Sequence, residues 1–141
     1  MDLEVKLMDL DMLRHQMELT ESIFILGFVD ETTTVTSVVI PNEIEGINNI
    51  KIAKYAFADQ KNIKTIDLGE SVTFIGSYAF KNATSLISVI IPNSCLTINE
   101  YAFQGCSTQC TIHCKASSIP SGWNSNWNSS NCQVDWGYIR N

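Results

Sequence analysis

Apolar residues recur along the middle of this chain with a regular period of about 23 residues, within the range of known repeat families. The tripeptide Tyr-Ala-Phe occurs three times at this period and ends at Phe57, Phe80 and Phe103, so its two intervals are equal. When the units are aligned on these phenylalanines, their apolar positions coincide, whereas the residues between them vary. Such a period is typical of repeat proteins, in which each unit packs only against its neighbours. The pattern therefore predicts a stack of about three units that share one continuous core.

Each unit is predicted to contain one strand and one short helical segment. Residues 63–68 and 86–91 share a spacing whose last three positions place apolar residues on alternate sites, as in a strand with one buried face. Gly69 and Pro92 end these strands, because glycine weakens a strand and proline cannot donate a hydrogen bond to a sheet. A second apolar stretch and then the Tyr-Ala-Phe tripeptide follow, and we expect the tripeptide to form about one helical turn. The units would therefore combine strands and helical turns in an α/β fold.

The first unit is longer than the others. The stretch from Pro41 to Phe57 exceeds the matching stretch from Pro92 to Phe103. The additional residues fall in the segment 43–52, where a glycine and an Asn-Asn pair favour a turn because both residue types tolerate positive φ. We predict a hairpin here that opens the array, since the terminal units of solenoids are commonly atypical.

The sequence before this hairpin allows more than one interpretation. Residues 23–28 and 33–40 are rich in β-branched and apolar residues and are predicted to form a pair of strands that turns at residues 30–31. The apolar residues of the first 20 positions alternate at first, as in a strand. Their later spacing among acidic residues suits a helix over residues 7–19, which we favour. This segment lacks the basic start, the continuous apolar run and the small-residue cleavage site of a secretory signal.

Three segments carry a likeness to a known family: IPNEIEGINNIKIAKYAF, LGESVTFIGSYAF and IIPNSCLTINEYAFQGC. They resemble the BspA-type leucine-rich repeat family, whose unit reads I-P-x-S-V-T-x-I-G-x-x-A-F-x-x-C. The resemblance covers about residues 35–114, and the Ser-, Asn- and Trp-rich tail also looks like the ending of many such bacterial proteins. It implies an α/β leucine-rich repeat solenoid with a role in protein interaction or surface adhesion. Asp67 and Gly69 depart from the usual polar-Leu-Pro ending, which we expect to change a turn and not the fold.

The tail beyond the repeats differs from them in composition and holds all three tryptophans, Trp123, Trp127 and Trp136. Its aromatic residues suit either a sugar-stacking or adhesive site, or a cap that covers the open end of the solenoid. We favour the cap, because an uncapped end would expose apolar surface. The chain is thus predicted to consist of an N-terminal segment at 1–20, a solenoid with its hairpin at 21–114 and a C-terminal cap at 115–141.

The length, charge and apolar content of the chain exclude some classes of binding partner. The chain has 141 residues, the length of one domain, and its net charge is −6. Nucleic acids and anionic membranes are therefore unfavourable partners, because both require clustered Lys and Arg. No apolar stretch reaches the ~18 residues of a membrane span, so we predict no membrane insertion. With no secretory signal, a cytoplasmic location is favoured if the sequence is complete, and the cell surface if it is a fragment of a longer exported protein.

Residues of metal-ligand type cluster near the end of the repeats, at Cys106, Cys110, His113 and Cys114, with Cys132 further on. Zinc is one interpretation, since thiolates and imidazole are its ligands. The repeat register favours another, because Cys114 occupies the core position of Leu68 and Ile91. A Cys114–Cys132 disulfide is a further alternative. Another is a nucleophile pair of His113 with Cys110 or Cys114, although neighbouring residues of a strand, such as His113 and Cys114, point to opposite faces. We predict buried free thiols, no metal, no cofactor and no catalytic residue.

The outward positions of the strands form the predicted binding surface. Repeat register stacks them in two ladders, the first made of Ser37, Thr65, Ser88 and Thr111 and the second of Val39, Asp67, Ile90 and His113. In a leucine-rich repeat solenoid these strands line the concave side, which is the usual binding surface. Val39 and Ile90 are apolar where the pleat predicts exposure, which indicates either a contact or the isolated exposed residues that are normal on protein surfaces.

We therefore hypothesise a non-enzymatic protein-binding module of the leucine-rich repeat type. The residues expected to contact its protein partner are Val39, Thr65, Asp67, Ser88, Ile90, Thr111 and His113. The alternative is an adhesive or carbohydrate-binding fragment of a larger bacterial surface protein. An enzyme that uses the cysteine cluster is a third interpretation, which we disfavour.

Overall fold

The computed structural model describes residues 5–7, 22–28 and 34–139, and within these ranges every regular element is a β-strand. The strands are β1 (Val5–Leu7), β2 (Ile23–Phe28), β3 (Ser37–Val39), β4 (Ile50–Ile52), β5 (Thr65–Asp67), β6 (Val72–Ile75), β7 (Ser88–Ile91), β8 (Thr97–Ile98), β9 (Thr111–Cys114) and β10 (Gln133–Trp136). The described part of the chain thus has no helix long and apolar enough to span a membrane. The α/β prediction is wrong there, because turns stand where helical segments were expected.

The strands form two sheets of five strands each. One sheet has the order β1-β2-β4-β6-β8, and the other has the order β10-β9-β7-β5-β3. All neighbouring strands are parallel except β1 and β2, which are antiparallel. From β2 to β9 the chain alternates between the sheets, so each turn adds one strand to each. The fold is a β-solenoid of about five turns, and the prediction of three units undercounts it.

The second apolar stretch of each unit forms a strand of its own. The strands expected from the repeat are present as β5 and β7, and β7 ends at Ile91, directly before Pro92. The stretches that follow them form β6 and β8 in the other sheet and do not lead into a helix. Residues from both sheets belong to a single buried apolar cluster, so the core lies between the sheets.

The Tyr-Ala-Phe tripeptides form tight turns. Their tyrosines adopt the left-handed conformation, with φ of 60°, 57° and 56° at Tyr55, Tyr78 and Tyr101. The backbone pairs between successive turns: the N–H of Phe57 donates to the carbonyl of Ala79 at 2.7 Å, and that of Phe80 donates to the carbonyl of Ala102 at 2.8 Å. A helix is about 10 Å wide, whereas strands are about 4.8 Å apart. These turns therefore keep the spacing of the strands, which stacked helices could not do.

The phenylalanines of the three tripeptides stack in the core, as their equal spacing predicts. The ring centroids of Phe57 and Phe80 are 5.5 Å apart, and those of Phe80 and Phe103 are 5.2 Å apart. All three side chains are at most 1% exposed. Phe28 packs edge-on against Phe57 at one end of the stack, and Trp127 packs edge-on against Phe103 at the other. Phe80 is thus enclosed by aromatic rings on both sides.

The strands before the hairpin are arranged differently from the prediction. β2 and β3 do not pair with each other, because β2 lies between β1 and β4 in one sheet, whereas β3 pairs with β5 in the other. The chain therefore crosses between the sheets here, as it does in every later turn. The helix predicted over residues 7–19 is wrong at Leu7, which ends β1, and residues 8–19 lie outside the described ranges.

The hairpin in the first unit is confirmed as a two-residue turn. Ile44 and Ile47 exchange two backbone hydrogen bonds of 2.9 Å each. Glu45 and Gly46 between them have φ of 52° and 77°, as the tightest hairpin turns require. The hairpin does not open the array, because β2 precedes it and pairs in parallel with β4 behind it.

Candidate functional site

The outward positions of the second sheet form a continuous surface, which we call the ladder face. Its first ladder comprises Ser37, Thr65, Ser88, Thr111 and Gln133, and its second comprises Val39, Asp67, Ile90, His113 and Asp135. Parallel pairing in register brings together all seven of the residues expected to contact a partner. Each ladder crosses five strands, one more than the sequence ladders contain.

β10 contributes the two residues that the sequence ladders omit. Gln133 pairs with Thr111, and Asp135 pairs with His113. The alternation of Val134 and Trp136 carries the signal that could have identified them, because successive side chains of a strand point to opposite faces. The interval from Thr111 to Gln133 is one position shorter than the repeat period, so alignment at a fixed period misplaces Gln133 by one position.

The first ladder consists of polar side chains, whereas the second contains both apolar and polar ones. Hydroxyl groups occupy the first four positions of the first ladder, and Thr65 Oγ1 donates a hydrogen bond of 3.0 Å to Ser37 Oγ. In the second ladder, Val39 is 59% exposed, and Ile90 is half-buried between the buried Val89 and Ile91. The ladder face therefore offers hydrogen-bonding groups beside apolar ones on a regular sheet.

Two polar residues of the second ladder, His113 and Asp67, are oriented by neighbouring groups. His113 Nδ1 lies 3.1 Å from Asp135 Oδ2, and the His113 ring contacts the Tyr138 ring at a centroid distance of 4.6 Å. Asp67 Oδ1 accepts a hydrogen bond of 2.9 Å from the backbone N–H of Gly69. These contacts hold the imidazole and the carboxylate in defined positions, which lowers the entropy lost when a partner binds.

An open cleft of about 820 Å³ lies at the edge of the ladder face, where the strands of this sheet end. Val39, Asp67 and Tyr138 line it together with residues of the loops that follow the strands. Lys115 Nζ and Glu70 Oε1, which also line it, are 4.0 Å apart. The carboxyl ends of parallel strands meet at one edge of a sheet, so loops from successive turns border one continuous depression.

Comparison with known families shows which type of repeat forms the turns of this solenoid. A sequence model described as BspA type Leucine rich repeat region matches residues 27–134 in six copies. The chain belongs to this family. The match covers most of the chain and exceeds both the predicted three units and the span of about 35–114. Comparison with curated proteins and with solved structures found no significant match.

The tail of this BspA-type protein packs against the end of the repeat array. Trp123 and Trp127 are only 6% and 5% exposed, and Trp123 Nε1 donates a hydrogen bond of 2.9 Å to the carbonyl of Cys95. Trp123 also forms a parallel bridge to Ile98 beyond the last strand of the first sheet. Trp136 is half-buried and contacts both other tryptophans. A sugar ring stacks on an exposed aromatic face, so the burial of Trp123 and Trp127 favours the cap interpretation.

The cysteines of the BspA-type repeats are free and buried in the described structure. Burial raises the pKa of Cys95, Cys106 and Cys114 to about 12, so these thiols are protonated at neutral pH. Cys114 lies opposite Trp136 and not opposite Cys132, and the alternative of a Cys114–Cys132 disulfide is wrong in this structure. These side chains pack as small apolar residues.

We expect the purified protein to contain no stoichiometric zinc. Among the described residues, no group of three or more His, Cys, Asp or Glu side chains is placed to hold a metal ion. A chelator should therefore leave the circular dichroism spectrum and the melting temperature unchanged, and elemental analysis should detect less than one zinc per chain. Unfolding by the chelator would contradict this expectation, because structural zinc contributes directly to the free energy of folding.

Proposed function

We propose that this chain is a non-enzymatic protein-binding module and that the ladder face is its binding surface. The observation that carries the proposal is the unbroken register of outward side chains over five parallel strands. Solenoids commonly bind partners through such extended, repeated surfaces. A surface fixed by backbone pairing also binds with little loss of conformational entropy, because its side chains are already aligned.

The chemistry of the ladder face supports a protein partner. Ile90 occupies the third of five positions in its ladder, so an apolar group stands at the centre of the surface. The hydroxyl groups of Ser88 and Thr111 lie nearby, and charged groups such as Asp67 and Asp135 stand on either side of the centre. Protein interfaces commonly have an apolar centre and a polar rim, which this arrangement provides.

The charge of the molecule supports a neutral or basic protein partner over a nucleic acid. The net charge of the chain is −6. The ladder face contains the acidic Asp67 and Asp135, and His113 is the single basic side chain among its ten residues. Phosphate backbones are bound chiefly through several Lys and Arg side chains, because the affinity comes from the release of counterions.

The position of Cys114 supports binding without catalysis. A cysteine nucleophile reacts as the thiolate, and burial raises the pKa of Cys114, the cysteine adjacent in sequence to His113, to about 12. Cys114 faces the core, whereas His113 faces outward beside Asp135. The two side chains therefore lie on opposite sides of β9, an arrangement unsuited to a Cys–His pair.

Substitution of Ile90 by glutamate should abolish partner capture while the fold persists. The matched control is Leu96→Glu, which introduces the same charge in the same unit at a side chain that is 64% exposed outside the ladder face. The wild-type chain and both variants would be immobilised, and the amount of protein that each captures from a lysate of the source organism would be measured. Circular dichroism would check that the variants fold. We expect Ile90→Glu to lose capture at least about tenfold, which corresponds to about 1.4 kcal/mol.

Two results would count against the proposal, and a third would require a different variant. Equal capture by Ile90→Glu and wild type would exclude the centre of the ladder face as the binding surface. An equal loss of capture by Leu96→Glu would show that an added negative charge weakens partner binding wherever it is placed on the surface. Unfolding of Ile90→Glu would show that position 90 contributes to the core, since an unpaired buried carboxylate costs several kcal/mol. In that event Val39→Glu, at the most exposed apolar position of the ladder face, replaces it in the same comparison.

A further inference from the structure

Two cysteines lie side by side where the tail joins the repeat array. β9 and β10 pair in parallel, with Thr111 opposite Gln133, and each of these residues directly follows a cysteine. Cys110 and Cys132, which directly precede β9 and β10, therefore occupy neighbouring positions on two adjacent segments of the same chain. Paired strands are about 4.8 Å apart, and disulfides join residues whose Cα atoms are typically about 4.4–6.8 Å apart. The register of the sheet thus places these two cysteines within the range that a disulfide spans.

The backbone on both sides of the pair is held by local hydrogen bonds. Cys132 N donates to Asn128 Oδ1 at 3.0 Å, and Asn128 Nδ2 donates to the carbonyl of Cys132 at 2.9 Å. Cys110 N donates to the carbonyl of Ser107 at 3.1 Å, and the Cys132 thiol lies 3.6 Å from the same carbonyl. Hydrogen bonds thus fix the backbone beside both thiols.

We propose that Cys110 and Cys132 are a dithiol that closes to a disulfide when the protein meets a small disulfide oxidant. The bond would join the last strand covalently to the strand before it. It would also close a loop that contains Trp123 and Trp127, the two buried rings that cover the end of the array. Oxidation would therefore stabilise the cap without requiring any change in the path of the chain.

The reaction is a two-step thiol–disulfide exchange. The thiolate of Cys132 attacks one sulfur of a small disulfide such as oxidised glutathione, forms a mixed disulfide and expels one glutathione thiolate. The thiolate of Cys110 then attacks the Cys132 sulfur of that mixed disulfide and expels the second glutathione. The two thiol protons leave with the two glutathione molecules, and two electrons pass from the protein to the oxidant.

The interaction between the two sulfurs favours this order of attack. The interaction with Cys110 lowers the pKa of the Cys132 thiol, and the interaction with Cys132 raises the pKa of the Cys110 thiol. Cys132 is thus the better first nucleophile. Both sulfurs are buried, but the adjacent Gln109 and Asn131 are exposed, so the oxidant can reach the pair when the end of the sheet opens transiently.

The other three cysteines have different neighbours. The Cys106 thiol donates to the carbonyl of Phe80 at 3.2 Å, and the Cys95 thiol donates to the carbonyl of Thr97 at 3.6 Å. Cys114 lies opposite Trp136 and has no cysteine at its paired position. Cys106 is the nearest competitor, because its thiol is electrostatically coupled to Cys132, and the test must therefore distinguish it from Cys110.

The test begins with the reduced protein, which is equilibrated with oxidised glutathione at neutral pH and then alkylated after denaturation. We expect two of the five thiols to be lost. Tryptic digestion should yield one disulfide-linked pair of peptides, residues 82–115 joined to residues 116–140. The melting temperature of the oxidised protein should rise by several degrees and return to its original value when the protein is reduced.

Single alanine variants assign the bond and complete the test. Cys110→Ala and Cys132→Ala should each prevent formation of the linked peptides, whereas Cys106→Ala and Cys114→Ala should not. Five free thiols in the oxidised wild type would overturn the proposal. Loss of the linked peptides in Cys106→Ala, or their persistence in Cys110→Ala, would overturn the assignment. If Cys110→Ala or Cys132→Ala fails to fold, tandem mass spectrometry of the linked wild-type peptides locates the bond directly.

Discussion

Replacing Phe80 by alanine should lower the free energy of unfolding by about 3–5 kcal/mol. Phe80 is fully buried and stacks on Phe57 at 5.5 Å and on Phe103 at 5.2 Å. The truncation removes buried apolar surface and leaves a cavity between two rings that hydrogen-bonded turns hold in place, so little relaxation is possible. Urea unfolding followed by circular dichroism measures the effect. A loss of this size approaches the whole stability of a small domain.

Phe74→Ala is the matched control for this prediction. Phe74 lies in the same unit, but its side chain is only partly buried and faces outward from β6, where it contacts the Phe24 ring at 6.4 Å. We expect this variant to lose about 1 kcal/mol, which is typical of a partly exposed site. Equal destabilisation by the two variants would show that the stack has no special part in the stability of the array, contrary to its central position in the core.

Removing residues 116–141 should cause the protein to aggregate or to form larger oligomers than the intact chain does. The deletion strips β10 from β9 and leaves the inward side chains Ile112 and Cys114 uncovered at the end of the core. It also removes the Trp127 ring from Phe103, which lies at the end of the aromatic stack. An unpaired strand next to exposed apolar surface is a template for association with another chain. Size-exclusion chromatography with light scattering would measure the distribution of species.

Deletion of residues 139–141 alone serves as the control for the cap. Ile139 is 81% exposed, so its removal uncovers little of the core, and this variant should behave like wild type. A 116–141 deletion that remained monomeric and unfolded cooperatively would contradict the cap interpretation. The tail would then be free for another role, including the adhesive one.

The period of the sequence correctly predicts the strands of the sheet that contains β5 and β7, but it does not reveal the strands of the sheet that contains β6. In β5 and β7, apolar residues occupy alternate positions, so both the strands and the ladder face follow from the alignment. In β6, Val72 pairs with Ile50 and Phe74 pairs with Lys51, so one additional residue is inserted between the two pairs. This bulge separates the buried residues of β6 by three positions, a spacing that also suits a helix.

The Tyr-Ala-Phe turns could not be identified from residue propensities. A bulky residue with positive φ is uncommon, because its Cβ approaches the backbone. Here the strained conformation recurs at each tyrosine and accompanies stacking, with Tyr55 and Tyr78 at 5.1 Å and Tyr78 and Tyr101 at 5.5 Å. The contacts between units, which a local pattern does not contain, compensate for the local strain.

The candidate site was predictable as far as the repeat extends. Position in the unit identifies the ladder residues up to Thr111 and His113, because their strands share one register. The contacts of His113 with Asp135 and Tyr138 depend on where the tail returns to the sheet, and the tail has its own spacing. The proximity of Cys110 and Cys132 was missed for the same reason, since their separation along the chain falls one position short of the repeat period.

Because every strand of the second sheet pairs in the same register, the number of strands in the ladder face can change without a change in the kind of side chain that each strand presents. In the described part of the array, each turn hydrogen-bonds to its neighbouring turns, as Phe57 does with Ala79 and Phe80 with Ala102. A gene segment that encodes one repeat unit could thus be duplicated or lost without creating a new kind of contact. Each duplication would lengthen the molecule by about 4.8 Å and add one residue to each ladder. Evolution can in this way alter the reach of the surface by unequal recombination and its selectivity by point substitution.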